Sequence, residues 1–188
     1  NIIEAEIDIL REMGVKFVTG AEVGKYVTLK ELRRAEFEGF YIAIGAQGGR
    51  KLGIEGEDSE GVISGIDFLR QGNLGKAADL AGKTVVIGGG NVAIDVARTA
   101  IRKGANSVAL YCLESRDTMP ASEEEVEDTE AEGISIHCGW GPKRILTKDG
   151  KATGVEFMRC LSTIDSDTKR FDPKYDPNDT MTIECDNV

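Results

Sequence analysis

The fold is decided by residues 84–93, which read TVVIGGGNVA. The first four residues favour a strand, and so short a run ending at glycine is typical of a buried parallel strand. Gly88, Gly90 and Ala93 then form a G-x-G-x-x-A pattern, and helical spacing of apolar residues follows directly. A strand, a glycine turn and a helix in this order begin a βαβ unit. The sequence therefore predicts an α/β fold with a Rossmann-like dinucleotide-binding domain.

Each position of this pattern has a physical task in such a site. Gly88 permits a tight turn, Gly90 lets the backbone approach a pyrophosphate, and Ala93 lets the helix pack close to the strand. The free amides and the positive dipole end of the helix bind the phosphates. We therefore predict a cofactor site formed by Gly88, Gly89, Gly90, Asn91, Val92 and Ala93. The alternative is a glycine turn without a ligand. It is disfavoured because three consecutive glycines weaken a fold, a cost that is expected only where another group must approach the backbone closely.

The residue that contacts the adenosine ribose is expected roughly 20 residues after the glycines, at the end of the second strand. Residues 112–116 read CLESR there, and Glu114 and Arg116 are the candidate ligands. A carboxylate accepts hydrogen bonds from ribose hydroxyls and repels a 2′-phosphate, whereas an arginine binds that phosphate. Glu114 leads us to favour NADH over NADPH. The alternative to a role in ribose binding is that Glu114 and Arg116 are both solvated charges of a loop.

The βαβ pattern continues beyond the glycines. Residues 92–101 carry one apolar helical face, and strand patterns follow at 107–112 and 134–138. Between those two strands, Ser122 and Glu125 form an S-x-x-E capping box that is expected to open an acidic helix. The order of elements is therefore βαβαβ.

The last part of the chain changes to a different pattern. Residues 143–147 and 152–160 have strand patterns on either side of an Asp149-Gly150 turn, which indicates a hairpin. A loop with two Asp-Pro steps is expected next, followed by a final strand. We therefore predict an antiparallel meander after the βαβαβ unit.

The first part of the chain has weaker signals. Residues 2–13 have helical spacing, and residues 15–18 and 40–44 read as strands, the second of them as a buried parallel strand. Thr28 and Glu31 form a T-x-x-E capping box that is expected to open a short helix.

A change of composition suggests where the domains divide. Residues 47–82 are rich in glycine and polar residues, which is typical of a connector, and we place a domain boundary near residue 80. The predicted NAD(P)H-binding domain is then 81–188, preceded by a separate segment and connector at 1–80.

Composition and charge limit the candidate partners. The 188 residues include 23 basic and 33 acidic side chains, and the net charge of −10 repels phosphate backbones and anionic lipids. We therefore expect no nucleic acid and no membrane as partner. The four cysteines are widely spaced and form no CxxC pair, so no metal or iron–sulfur site is predicted here. No signal peptide or transmembrane run is visible, and we expect a cytoplasmic location.

Two sets of stretches in this sequence follow a known pattern. In the second half they are Val85–Ala105, Met119–Ser122 and Glu132–Ile134, and in the first half Gly14-Val15, Val23-Gly24, Phe40–Ala46 and Gly53–Leu69. The first set resembles the NAD(P)H domain, and the second the flavin domain, of the glutamate synthase small (beta) subunit family, whose relatives include ferredoxin:NADP oxidoreductases and part of dihydropyrimidine dehydrogenase. The resemblance covers nearly the whole chain.

The resemblance implies a route for electrons. In this family the hydride passes from NAD(P)H to FAD, and electrons continue through iron–sulfur clusters to a partner, which is the glutamate synthase large subunit or another acceptor. Residues 1–80 would be a partial FAD-domain segment, and Gly45 and Ala46 would pass near the flavin. The first FAD fingerprint and the cluster-binding cysteines of the family have no match in this sequence. We therefore expect a fragment of a longer flavoprotein that does not hold FAD or act as an enzyme by itself.

Two readings differ from the glutamate synthase type. A ferredoxin:NAD(P) oxidoreductase would use the same residues, because the acceptor is chosen by the partner; a non-catalytic nucleotide-binding module would keep only the fold. Cys112-Leu113 stand where NADPH-using family members carry an Arg-Arg pair, which is a second reason to favour NADH. No catalytic acid or base is predicted, since His137 is expected to be structural and hydride transfer between cofactors requires mainly positioning. Trp140 is expected to anchor the junction with the meander or, alternatively, to flank the nicotinamide.

Overall fold

A computed structural model describes residues 2–76 and 80–188 of the chain. Its contacts divide it into two compact units, Asn1–Ala46 and Gln47–Val188, which we call unit 1 and unit 2. The boundary expected near residue 80 adjoins residues 77–79, which lie outside the described ranges, and the division into a flavin segment and a nicotinamide domain stays a prediction. No helix among the described residues is long and apolar enough to cross a lipid bilayer.

Unit 1 contains two helices, α1 (Ile2–Glu12) and α2 (Leu29–Arg34). The predicted capping box opens α2: the Glu31 amide donates to Thr28 Oγ1 at 3.2 Å, and the Thr28 amide donates to Glu31 Oε2 at 2.8 Å. Two amides that a helix start leaves without a partner are thereby bonded. Both predicted helices of this unit are confirmed.

The two strands predicted in unit 1 are wrong. Residues 15–18 and 40–44 have irregular backbone, and Tyr41 and Ile44 are 94% and 79% exposed. A strand needs a neighbour that accepts and donates its backbone hydrogen bonds. Among the described residues of unit 1 the β-pairing consists of one isolated bridge, Val23 with Val27, so these apolar runs have nothing to pair with.

Unit 2 begins with a helix and continues as the predicted βαβαβ unit. Its parallel strands have the order β1-β2-β3, with Val85 opposite Ala109 and Ala109 opposite Ser135. The elements are α3 (Gly65–Asn73), β1 (Lys83–Ile87), α4 (Asn91–Arg102), β2 (Ser107–Cys112), a 3₁₀ turn (Arg116–Thr118), α5 (Glu123–Ala131) and β3 (Ser135–Cys138). The predicted strand and helix positions from β1 to β3 are confirmed to within one or two residues, whereas α3 lies in the stretch 47–82 that was predicted as a connector.

A three-stranded antiparallel meander follows, as predicted: β4 (Trp140–Lys148), β5 (Lys151–Ile164) and β6 (Phe171–Glu184). Asp149 and Gly150 have φ of 52° and 81°, the left-handed conformation that a tight hairpin turn requires.

The expected Asp-Pro loop is wrong, because both prolines lie within β6. Pro173 lies between Phe171, opposite Ile164, and Lys174, opposite Ser162; Pro177 lies where the register shifts after Asp176. A proline has no amide hydrogen to donate, but an edge strand with register shifts leaves amides unpaired in any case. β6 is such an edge strand, so the prolines interrupt little of the ladder.

The layers of unit 2 enclose two hydrophobic cores, one on each face of the parallel sheet. On one face, α3, α4 and α5 bury a set that includes Ile94, Ala97 and Leu110. On the other face, the meander covers Val85 and Tyr111 with a second set that includes Ile145, Val155 and Phe157. Burial of a whole Val, Leu, Ile or Phe side chain stabilises a fold by about 1.5–3 kcal/mol. The sheet is therefore held in place by packing on both of its faces.

The predicted capping box of α5 does not form, although the helix begins where expected. Ser122 makes no side-chain capping bond, and the Glu125 carboxylate instead accepts a 2.8 Å hydrogen bond from Arg98 of α4. Arg98 also pairs with Asp128 and Glu132 and is only 19% exposed. The two groups that would close the box are both bonded elsewhere: the Glu125 carboxylate to Arg98, and the Ser122 amide to Asn91 Oδ1.

Candidate functional site

The glycine bend joins the carboxyl end of β1 to the amino end of α4. The Gly88 amide donates to the Tyr111 carbonyl at 2.9 Å, which continues the β1–β2 ladder into the bend. Gly88 has φ of 145°, and a Cβ placed on it would lie 3.1 Å from Ala93 Cβ. Position 88 therefore requires glycine, and position 93 requires a small side chain, for α4 to begin this close to the strand.

A glycine is required at position 89 because neighbours at and just after the end of β2 leave no room for a side chain. It is buried, and a Cβ on it would lie 2.8 Å from Glu114 Oε2 and 3.0 Å from Cys112 Cβ. The carboxylate of Glu114 thus lies directly against the bend. The sequence pattern did not reveal this contact, because it depends on how β1 and β2 are paired.

Gly90 and the first turn of α4 face open space. Gly90 is the N-cap, and no atom of the described residues would lie within 4 Å of a Cβ placed on it. The Ala93 and Ile94 amides donate to the Gly90 carbonyl. Among the described residues, nothing accepts a hydrogen bond from the Asn91 or Val92 amides. Amides of this kind at the positive end of a 12-residue helix bind anions such as phosphate.

The side chain of Asn91 has a structural task that the sequence analysis missed. Its Oδ1 accepts a 3.0 Å hydrogen bond from the Ser122 amide, and the Gly89 carbonyl accepts one of 3.0 Å from the Ala121 amide. These two bonds hold the segment before α5 against the bend. The signal available in the sequence was the pair of polar and small residues in Ala121-Ser122, but only the fold shows what they contact.

The two candidate ribose ligands are placed differently. The half-buried Glu114 has its carboxylate at the bend, and its carbonyl accepts a 2.9 Å bond from the Gly139 amide at the end of β3. Arg116 points to α5, where both of its terminal nitrogens donate to Glu130 at 2.9 and 2.8 Å. That pair raises the pKa of the Arg116 guanidinium. The structure therefore brings Glu114 to the bend and pairs Arg116 with a carboxylate.

A cavity of about 810 Å³ opens beside the bend, within unit 2. Its lining includes Gly90, Asn91, Val92 and Ala93 at the start of α4, together with Phe68 of α3 and Val188. Cofactor pockets commonly have volumes of roughly 300–1,000 Å³. The residues that carry the free amides of α4 therefore line a space large enough for a nucleotide.

The predicted flavin contacts, Gly45 and Ala46, lie in unit 1. Gly45 has φ of 67° and is exposed, as is Ala46, and no atom would lie within 4 Å of a Cβ on Gly45. These residues form an open turn rather than an enclosed cradle. They do not by themselves fit an isoalloxazine or adenine group, and their contact with FAD stays a prediction.

Two aromatic residues discounted or left open by the sequence analysis lie near the carboxyl end of β3. The His137 ring stacks on Tyr111 at 4.6 Å between centroids, and Tyr111 stacks on Phe157 at 4.5 Å. Trp140 begins β4 and packs against the meander core, with the Arg159 guanidinium 3.7 Å above its ring. Both rings thus take part in packing between β3 and the meander.

One protein family and several curated proteins match most or all of this chain. A sequence model of the family described as pyridine nucleotide-disulphide oxidoreductase matches residues 1–175. The β subunit of an NADPH-Fe(3+) oxidoreductase from Geobacter sulfurreducens is 35% identical over 192 residues, which cover 100% of this chain and 28% of that protein. A glutamate synthase (NADPH) small chain from Azospirillum brasilense is 31% identical over 200 residues, which cover 100% of this chain and 41% of that protein. The chain thus spans less than half the length of these relatives, and the predicted resemblance to the glutamate synthase small-subunit family is confirmed.

A solved structure has a similar fold. Mycobacterium tuberculosis FprA in complex with NADPH matches with a TM-score of 0.73 at 18% identity, over 89% of this chain and 52% of that one. The Rossmann-like α/β class predicted from the glycine pattern is therefore confirmed.

Proposed function

Because the chain belongs to the pyridine nucleotide-disulphide oxidoreductase family, we propose that residues 81–188 bind a nicotinamide dinucleotide and present it to a flavin. Electrons then pass to a partner subunit or another acceptor. The chain by itself positions the dinucleotide and does not complete the reaction.

The observation that carries this proposal is the open bend at Gly90. Asn91 and Val92, whose amides have no acceptor among the described residues, line a cavity of about 810 Å³, and within the described part of the chain nothing fills the space in front of Gly90. A pyrophosphate placed there would accept hydrogen bonds from these amides and gain from the helix dipole. The same arrangement supports Gly88, Gly89, Gly90, Asn91, Val92 and Ala93 as the cofactor-binding set.

The residues of this site hold a cofactor and transfer no proton. A nicotinamide supplies a hydride and a flavin accepts it, so the protein contributes position and electrostatics. Gly88, Gly89 and Ala93 fix the start of α4, and the bonds from Ala121 and Ser122 keep it in place. A bend fixed in this way would hold a bound dinucleotide in one orientation.

In place of the NADH predicted from Glu114, we propose NADPH as the dinucleotide. NADPH stands in the names of both relatives described above, at 35% and 31% identity. Glu114 would then bond a ribose hydroxyl from its position against Gly89, and a cation elsewhere would bind the 2′-phosphate.

The partner is proposed at the level of its class. The relatives are named as subunits, one of an Fe(3+) reductase and one of glutamate synthase. We propose that the parent protein passes electrons to a separate acceptor subunit. The first candidate for this acceptor is a glutamate synthase large subunit. The second candidate is a different terminal acceptor, because the Geobacter sulfurreducens relative has the higher identity of the two.

The experiment is a titration of the 188-residue chain with NADPH and NADH, followed by nucleotide fluorescence. Gly90→Val should weaken the binding of both by about 100-fold or more, because a branched side chain would occupy the space of the pyrophosphate. Gly39→Val is the matched control, since that glycine is also open, has no left-handed φ and lies in unit 1. Equal affinity of wild type and Gly90→Val would show that the site lies elsewhere, and wild type that binds neither dinucleotide would overturn the proposed function.

A further inference from the structure

The carboxyl ends of β2 and β3 are tied to the meander through Gly139. Its amide donates to the Glu114 carbonyl at 2.9 Å, and its carbonyl accepts a 2.8 Å bond from the Cys160 amide of β5. The residue before Cys160 is Arg159. The meander therefore brings a cation from far along the chain to the edge of the sheet where Glu114 lies.

Arg159 is held in a fixed position at this edge. Its guanidinium lies 3.7 Å from the centre of the Trp140 ring, and Nε donates to Asp179 Oδ2 at 3.1 Å. Nη1 would lie 3.4 Å from a Cβ placed on Gly139, which puts the guanidinium beside the residue bonded to Glu114. The side chain is 39% exposed, so an approaching ligand can reach it.

The two arginines near the end of β2 differ in their free hydrogen-bond donors. Arg116 donates from both terminal nitrogens to Glu130. Arg159 donates only through Nε, and within 2–76 and 80–188 no acceptor binds its Nη1 or Nη2. A guanidinium with two free donors in one plane can bind a phosphate through both of them.

We propose that Arg159 binds the 2′-phosphate of NADPH, an inference that rests on the proposed function. In a βαβ dinucleotide site the pyrophosphate lies at the helix N-terminus and the adenosine ribose at the end of the second strand. Here that strand end is Glu114, whose carboxylate is against Gly89. The adenosine then lies over the ends of β2 and β3, with the Arg159 guanidinium, supported by Trp140, next to its ribose. Asp179 is the resident counterion with which the phosphate competes.

The test compares NADPH and NADH affinities in charge variants of the whole chain. Arg159→Gln should weaken NADPH binding by about 10–50-fold and change NADH binding by less than about twofold, since only NADPH carries the 2′-phosphate. Asp179→Asn should strengthen NADPH binding by a few-fold, because it removes the competing carboxylate. Arg159→Lys should fall between wild type and Arg159→Gln, because it keeps the charge and loses the planar pair of donors.

The controls separate this site from its alternatives. Arg170→Gln removes the same charge from the β5–β6 connection and should leave both affinities unchanged. Retained NADH binding in Arg159→Gln shows that the variant is folded. The proposal is overturned if Arg159→Gln lowers both affinities equally, or if the NADPH-specific loss appears in Arg116→Gln instead. A wild-type chain that binds neither dinucleotide overturns the proposed function as well, whereas NADH binding with no effect at Arg159 overturns only this inference.

Discussion

Units 1 and 2 differ in where their apolar side chains lie. In unit 2 the parallel sheet has a core on each face, and Phe157, Val155 and Ile94 are fully buried. In the described part of unit 1, residues 2–46, no residue is buried, although the unit contains aromatic and β-branched residues. Unit 1 forms helices whose signals lie within a few residues, and it forms none of its predicted strands. The comparison shows that local signals are enough for a capped helix, whereas a strand also depends on a partner.

The largest expected effect tests the burial contrast directly. Phe157→Ala in the meander core should lower the free energy of unfolding by about 3–5 kcal/mol, because it leaves a cavity between the two sheets. Phe37→Ala in unit 1, where the side chain is 58% exposed, should change it by less than about 0.5 kcal/mol. Urea denaturation of both variants measures the difference. Equal losses would mean that Phe37 is buried in solution and that the contrast between the units is false.

A second pair of variants compares two glycines with positive φ. Gly88→Ala should destabilise unit 2 by about 2–3 kcal/mol, because the backbone is strained and the new Cβ meets Ala93 at 3.1 Å. Gly14→Ala, with φ of 90° and open space around it, should cost only the backbone strain, about 1 kcal/mol. Denaturation curves for Gly88→Ala and the helical content of α1 for Gly14→Ala provide the two measurements. A Gly88→Ala variant as stable as wild type would contradict the close approach of α4 to β1.

The two predicted capping boxes give a smaller effect. Here the larger loss of stability is expected in unit 1, whereas in the two preceding pairs it is expected in unit 2. Thr28→Ala should destabilise α2 by about 1 kcal/mol, since it removes the side-chain bond to the Glu31 amide. Ser122→Ala should have almost no effect on α5, because Ser122 makes no such bond. Amide hydrogen exchange in each helix reports the change. A large loss of protection in α5 would indicate that the predicted box forms in solution after all.

The smallest effect concerns pH and the ion pairs between α4 and α5. Hydrogen bonds from Arg102 and Arg98 lower the pKa of Glu132 below its ordinary value of 4.5. A carboxyl group with a lowered pKa in the folded state stabilises the protein above that ordinary value and loses this contribution as the pH falls through the folded pKa. Wild type should therefore lose slightly more stability than Glu132→Gln between about pH 5 and 3. Glu4→Gln in unit 1, an exposed partner of Arg11, is the control and should match wild type across this range.

How much of the fold could be predicted follows from the range of each signal. The segment from Thr84 to Ala93 was correctly assigned because a short apolar run, glycines and a helix start lie side by side. The Asp149-Gly150 turn was correct for the same reason. Residues 40–44 were misassigned because an apolar run of this length shows strand propensity but not whether a neighbour is present. The prolines of β6 were misassigned because an edge position depends on the order of strands in the sheet.

The candidate site shows the same limit. The sequence identified the bend and proposed Glu114 and Arg116 as neighbours of the ribose. It could not reveal that the Glu114 carboxylate leaves no room for a side chain at position 89, because this contact depends on the pairing of β1 with β2. Nor could it reveal that Arg116 pairs with Glu130 on α5, which belongs to a different element.

The sequence alone determined that this chain has a glycine bend between a buried strand and a helix, because the strand, the glycines and the helix start that predict the bend all lie within residues 84–93. Only the tertiary structure decided which charged side chains lie at the carboxyl ends of β2 and β3. Glu114 and Arg159 come from different elements and reach one edge of the sheet through Gly139, whose hydrogen bonds join β2, β3 and β5. Electrostatic and hydrogen-bond partners are set by distance in space, and distance along the chain does not contain that information.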